Sequence, residues 1–372
     1  MSTFTSRPVL RWAVPAAAAV AVVGAGVAAK TLAVAAEPSL PPRTAAQLLV
    51  DLQTATLDGL SGTVVERADL GLPAIPLLTG DQSAKLTSLV SGKHTLRVWY
   101  SGPDKARVSL LGTQGQSDIV HNGNDTWVWD SQAKEAQHFA GQPGKGEGGA
   151  QPSPTDLPKS PQEAADLALK AIDPTTQVST GTSAKIAGRN AYELVLRPRD
   201  TSSLVGEVRL AIDAEKKLPL RVQVLPRGTA NPAFEVAFTS VNFARPDDAE
   251  FTFNPPAGTK VTEANPDEKA AQAEQQKQQH ENTGDKPKTA VIGTGWASVL
   301  VLRSSDGTKG ASADEQKKAQ DAIAQLPTGN GGRTFNSKLV SVLFTDDGRV
   351  LIGSVTPERL VQVAADPAAA LK

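Results

Sequence analysis

The stretch that most constrains the fold is 184–258, where strand-like runs follow one another with turn residues in every gap. The runs are 186–196, 206–212, 220–224, 234–238 and 251–253. Tyr192, Leu194 and Leu196 alternate with Glu193 and Arg197, and Val208, Leu210 and Ile212 alternate with Glu207, Arg209 and Asp213. Period two predicts an antiparallel sheet with one face buried and one wet. Between 234 and 243 the large apolar residues sit at even positions up to Phe238 and at odd ones from Val241, which predicts a bulge or the end of one face.

Nothing in this stretch carries catalytic chemistry, and the rest of the chain supplies none. The four histidines, His94, His121, His138 and His280, have no metal-site spacing and read as exposed strand, turn or linker residues. There is no Gly-x-Ser-x-Gly elbow, and with no cysteine, thiol catalysis and Cys-ligated metals are excluded. Asp346-Asp347-Gly348 lacks the further ligands of a calcium loop, and Asp247-Asp248 follows Pro246 in a solvated turn. Gly-Lys-Gly within 141–149 lacks the strand and helix of a phosphate loop. A net charge of -1 announces no basic face for nucleic acid. The expectation is a non-enzyme with no cofactor and no metal site. Because aromatics are only 4% of residues, its core is aliphatic.

At 372 residues the chain suits two domains plus tails. Arg7 and Arg11 precede an uncharged Ala/Val run at 12–29, and small residues suited to cleavage end at Ala36. Residues 1–36 therefore read as an export signal, either cleaved or kept as a membrane anchor, with the mature chain extracytoplasmic. A Pro-rich spacer fills 37–43. Thr44 caps a helix using Ala45, Leu48, Leu49, Leu52 and Ala55, ending near Asp58-Gly59. After a short strand at 62–66, an apolar loop at 69–92 carries Leu72, Ile75 and Leu77. It either plugs the core or forms a lid over an apolar cavity.

A meander resumes at 94–100 and 105–110, and 119–121 and 126–130 flank the hairpin turn Asn122-Gly-Asn-Asp125. Trp127 and Trp129 share a face, as core packing or as a ligand-facing wall. Past the Gly/Pro-rich connection at 141–159, Ser160-Pro161-Gln-Glu163 opens a second helix through Ile172. A polar linker occupies 263–288, and 289–366 forms a small α+β unit: a strand at 295–302, a helix capped at 312–315, a hairpin of 339–344 with 350–355, and a last helix after Thr356.

The fold class is thus mainly β with α: a curved antiparallel sheet, a half-open, unclosed β-barrel enclosing or covered by helices, plus the C-terminal unit. Nine to eleven strands and two helices are expected before residue 260. Four segments carry a family resemblance: 187–198, 208–213 with 218–222, 238–243, and 251–258, together with the Leu-rich helix before Leu60-Ser-Gly62. On these, 44–262 resembles the LolA-like lipoprotein-carrier family of the bacterial envelope and its RseB-like relatives, which bind lipids or regulate envelope-stress sigma factors.

The resemblance implies an unclosed barrel with an apolar cavity that receives acyl chains of lipid or lipoprotein. The candidate cavity or lid residues are Leu72, Ile75, Leu77, Leu96, Val98, Tyr100, Trp127, Trp129, Leu194, Leu196, Val208, Leu210, Val222 and Phe238. The expected function is exported, non-enzymatic lipid or lipoprotein binding. The alternative is an envelope-stress regulator that contacts an anti-sigma or other membrane-protein partner, and the C-terminal unit favours it.

Overall fold

The computed structural model describes residues 40–71, 89, 91–112, 115–140, 174–264, 289–303, 313–329 and 331–371. The expected export segment at 1–36, the second helix expected after Ser160, most of the expected polar linker, and Leu72, Ile75 and Leu77 lie outside them.

The chain opens with α1 (Ala45–Thr54). Its start follows from the sequence: Thr44 Oγ1 accepts from the Gln47 N–H at 3.2 Å, and Gln47 Oε1 accepts from the Thr44 N–H at 2.9 Å. This reciprocal box satisfies two donors that a helix start leaves without partners. The helix ends at Thr54, earlier than Asp58-Gly59, because Leu57 leaves the helix line to pack on the sheet.

Thirteen strands of the described residues form one sheet. They are β1 (Leu60–Ala68), β2 (Gly92–Tyr100), β3 (Lys105–Leu111), β4 (Gln116–Asn122), β5 (Asp125–Asp130), β6 (Glu135–Ala140), β7 (Thr176–Thr180), β8 (Ala184–Ile186), β9 (Arg189–Pro198), β10 (Val205–Asp213), β11 (Pro219–Pro226), β12 (Phe234–Asn242) and β13 (Lys260–Ala264). The order is β13-β6-β5-β4-β3-β2-β1-β12-β11-β10-β9-β7, with β8 beside β9, so the sheet is open and not closed into a barrel. Two meanders of neighbouring strands meet at β1 and β12.

One pairing departs from the all-antiparallel expectation: β13 runs parallel to β6. Its sequence, Lys-Val-Thr-Glu-Ala, reads as the start of the linker at 263, yet the strand continues to Ala264. The expected bulge is present. Thr63 pairs with Ser240 and Val64 with Phe238, leaving Thr239 as the extra residue, its hydroxyl donating to Thr63 O at 3.2 Å. That single residue keeps Phe238 and Val241 on the same face despite their odd spacing.

A second sheet has the order β14-β15-β19-β18-β17-β16. Its strands are β14 (Thr289–Ile292), β15 (Val299–Arg303), β16 (Thr328–Gly329), β17 (Gly332–Asn336), β18 (Ser341–Thr345) and β19 (Arg349–Gly353), accompanied by α2 (Ala313–Ala324) and α3 (Pro357–Ala364). Val299, Val301, Leu343 and Leu351 meet Leu360 and Val363 of α3 in a buried apolar core. Two expectations are corrected. Gly295–Ala297 is a 3-10 turn and the strand starts only at Val299. The unit also runs past 366: a 3-10 turn at Pro367–Ala370 buries Ala369, and Leu371 closes the same core.

The two sheets touch. Leu204 N–H donates to Ser354 O at 2.9 Å, Thr356 N–H to Ser202 O at 2.8 Å and Lys338 N–H to Leu70 O at 2.8 Å. Lys338 Nζ also reaches Asp69 at 2.7 Å.

Candidate functional site

The register turns the strand list into a map of one apolar face. Cross-strand neighbours on one face of a sheet form rows perpendicular to the strands. The first row reads Ala68, Phe234, Val224, Val208, Leu196, Val178 across β1, β12, β11, β10, β9 and β7. The second reads His94, Glu66, Val236, Val222, Leu210, Leu194. A third holds Leu110, Leu96, Val64 and Phe238, and a fourth holds Val108, Val98, Gly62 and Val241. Gly62 is required there, since a Cβ would stand 2.5 Å from Ser240 O and 2.9 Å from the Phe238 ring.

Nine of the candidate residues therefore share this face: Leu96, Val98, Tyr100, Leu194, Leu196, Val208, Leu210, Val222 and Phe238. They divide by what covers them. Leu194, Leu196 and Leu210 pack, with Ile212, against Leu48 and the flank of α1. Leu48 and Leu194 are almost fully buried, so this end is filled. Val208 joins Val205, Val224, Phe234 and Ala233 under Trp296, Leu339 and Val340 of the second unit. Leu96 and Val98 form the central cluster with Val64, Leu110 and Leu60, and Leu57, Leu89, Tyr100 and Phe238 pack against it. Val222 lies between them, half-buried.

Trp127 and Trp129 are not on this face. Trp127 pairs with Val120 and His138, and Trp129 with Asp118 and Ala136, the residues whose side chains alternate with the apolar rows. Their face has its own cover: Phe253 lies 5.3 Å from the Trp127 ring and 5.8 Å from the Trp129 ring, and Phe251, in the turn that packs on β3 and β4, is buried. Arg107 of that face binds Asp118 Oδ2 at 2.7 Å and donates to Glu250 O at 3.1 Å. His138 stacks on Trp127 at 4.0 Å and bridges Glu263 (2.7 Å) and Asp125 (3.1 Å), tying β13 to β6. The two tryptophans, both half-buried, thus meet Phe253 on the face opposite the apolar rows.

His94, His121 and His138 are half-buried, less exposed than expected, and the first marks a residue that sequence reasoning missed. Glu66 stands in the second row, flanked along β1 by Val64 and Ala68, and is 0% exposed. His94 Nδ1 lies 3.2 Å from its Oε2. Its Oε1 meets no hydrogen-bond partner among the described residues. Burial pushes the Glu66 carboxyl above the usual range, more than the hydrogen bond and charge of His94 pull it down. The available signal is parity: Leu60, Gly62, Val64, Glu66 and Ala68 fall on one side of a strand that runs two residues past each end of the 62–66 read from the sequence.

Asp213 is also buried but is fully used. Burial would raise it, yet Arg189 and the backbone N–H groups of Lys216 and Glu215 together hold its carboxyl below the ordinary value. The cavity of about 340 Å³ beside it, lined by Leu40, Lys185, Arg189, Asn190 and Glu215, is polar and lies away from the apolar rows.

No family model matches the sequence. No curated protein matches it either. Among solved structures the chain is similar to the Pseudomonas aeruginosa MucA/MucB complex structure, at 15% identity over 86% of this chain and 96% of that one, TM-score 0.41. It is similar to a LolA superfamily protein from Nitrosomonas europaea at 12% identity over 57% and 99% of the two chains, TM-score 0.23. An uncharacterized conserved protein from Thermus thermophilus is similar at 11% identity over 59% and 98%, TM-score 0.34.

Proposed function

We propose that the protein is an exported, non-enzymatic binder of acyl chains, from lipid or lipoprotein, and that the apolar face of the large sheet receives them. The observation behind this reading is the continuity of that face: adjoining rows of Val, Leu and Phe run from β3 to β7 with one polar pair, Glu66 and His94, among them. An acyl chain needs no polar motif to be held, since burial stabilises it by about 0.8 kcal/mol per CH2. Val222, Val236 and Phe238, half-buried between α1 and the central cluster, are the positions assigned to chain contact.

Native mass spectrometry of the purified protein and uptake of a fluorescent fatty acid test this. Co-purified lipid or saturable uptake supports it. Lipid-free protein that takes up no probe sinks it.

A second reading is regulation through a membrane-protein partner. The docking of Trp296, Leu339 and Val340 over one end of the apolar face favours it, because it couples the face to the unit that would contact the partner. Deleting 289–371 and repeating a pull-down from membranes distinguishes the two: loss of a protein partner with acyl binding intact supports regulation.

A further inference from the structure

A carboxylic acid in the middle of an apolar face is costly unless something uses it. Glu66 is wholly buried, its neighbours along the strand and across β12 are Val64, Ala68 and Val236, and only Oε2 is engaged, by His94. Two other buried acids are met on more sides. Asp213 holds Arg189 and two backbone N–H groups, and Asp118 holds Arg107 and Gln116. Glu66 alone among these three keeps a buried oxygen, Oε1, with no partner among the described residues. That oxygen accepts a hydrogen bond whether the group is ionised or carries its proton on the side of His94.

The position of this acceptor is as informative as its lack of a partner. Glu66 shares its row with Val236 and Val222, which lie between the central cluster and Leu210 at the α1 contact. His94, which engages its other oxygen, has a side chain 16% exposed at the β2 end of that row. The row thus runs from a polar pair at one end into aliphatic surface, the layout of an amphiphile.

We propose that Glu66 is a ligand-binding residue, and that its Oε1 accepts a hydrogen bond from an amide N–H or hydroxyl beside the acyl chain of the bound molecule. The ligand class is an acyl amphiphile with a neutral donor next to the chain, as distinct from a simple ester. The proposal rests on the acyl-binding reading above. It adds to that reading a polarity of binding, with the head at β1–β2 and the chain directed across β12 and β11.

The test compares two probes of equal length and nearly equal shape, N-methylhexadecanamide, which has a donor, and methyl hexadecanoate, which has none. Each competes with a fluorescent fatty acid on the full chain. The expected result is about tenfold tighter binding of the amide by the wild type, the effect of satisfying one buried acceptor. Glu66→Leu abolishes that preference while still binding the ester, and Glu66→Gln, which keeps a carbonyl acceptor, retains it. Equal binding of amide and ester by the wild type overturns the proposal and leaves acyl binding standing, as does a preference that survives in Glu66→Leu. Binding of neither probe overturns both. Should Glu66→Leu fold poorly, Glu66→Met takes its place as the variant without an acceptor, and equal binding by the wild type overturns the proposal without any variant.

Discussion

The indole N–H of Trp296 donates to the hydroxyl of Thr176 at 2.7 Å, so a turn of the small unit is bonded to the edge strand of the large sheet. The same indole packs in the cluster of Val205, Ala233 and Leu339. Trp296→Ala removes both contacts and weakens the docking of the two units by about 2 kcal/mol. Hydrogen exchange is expected to quicken at Thr176–Thr180 and at 338–340, while β15, β18 and β19 keep their protection. Unchanged exchange on both sides would show that the backbone bonds at 202–204 suffice.

Leu48 is the side chain through which α1 is held to the sheet, 0% exposed between Leu194 and Ile212. Leu48→Ala is expected to cost about 3 kcal/mol, as for other fully buried leucines. The midpoint of urea unfolding reads this directly. Loss below about 1 kcal/mol would mean that the helix contributes little to the sheet.

Arg189 bonds Asp213 through two nitrogens, and the acid is wholly buried. Arg189→Leu strands that carboxylate and is expected to cost about 3 kcal/mol at pH 7. Because the folded-state value of Asp213 is depressed, the stability it contributes is present above about pH 3.8 and is lost as pH falls through the folded-state value. Urea midpoints for wild type and variant should therefore differ at pH 7 and converge as the pH is lowered below 3.8.

Glu66 has the opposite sign. Its folded-state value is raised, so the favourable contribution is complete below about pH 4.5 and is lost as pH rises toward the folded-state value. Without ligand, Glu66→Gln is expected to match the wild type in acid and to exceed it in melting temperature at neutral pH. A variant less stable than the wild type at pH 7 would show that the His94 contact outweighs the burial of the charge.

The alternation of Tyr192, Leu194 and Leu196 against Glu193 made β9 legible, and the parity change between Phe238 and Val241 made even the Thr239 bulge legible. Both are local signals of period two. β13 was not legible, because its place is set by side chains far away: Glu263 and Lys260 reach His138 and Glu135 on β6. The tryptophans show a second kind of limit. Their mutual parity, Trp127 with Trp129, is written in the sequence, but whether they share a face with Leu96 depends on the register of three intervening pairings, which puts them on the other side. Glu66 shows a third. A strand end and a strand interior differ by two residues in the sequence, and that difference decides whether an acid is solvated or buried.

Within the large sheet, almost every strand pairs with a neighbour in the chain, and β1 with β12 is the seam where the two meanders join, setting Ser61 against Asn242. Hairpins such as β4–β5 can close over a few residues, but the seam closes a loop spanning most of the domain, and loop-closure entropy is concentrated there. The central cluster of Val64, Leu96 and Phe238 straddles that seam, so it becomes complete only when the two halves have met. Refolding should accordingly show two early, local phases and a later joint one, with the apolar face assembled last.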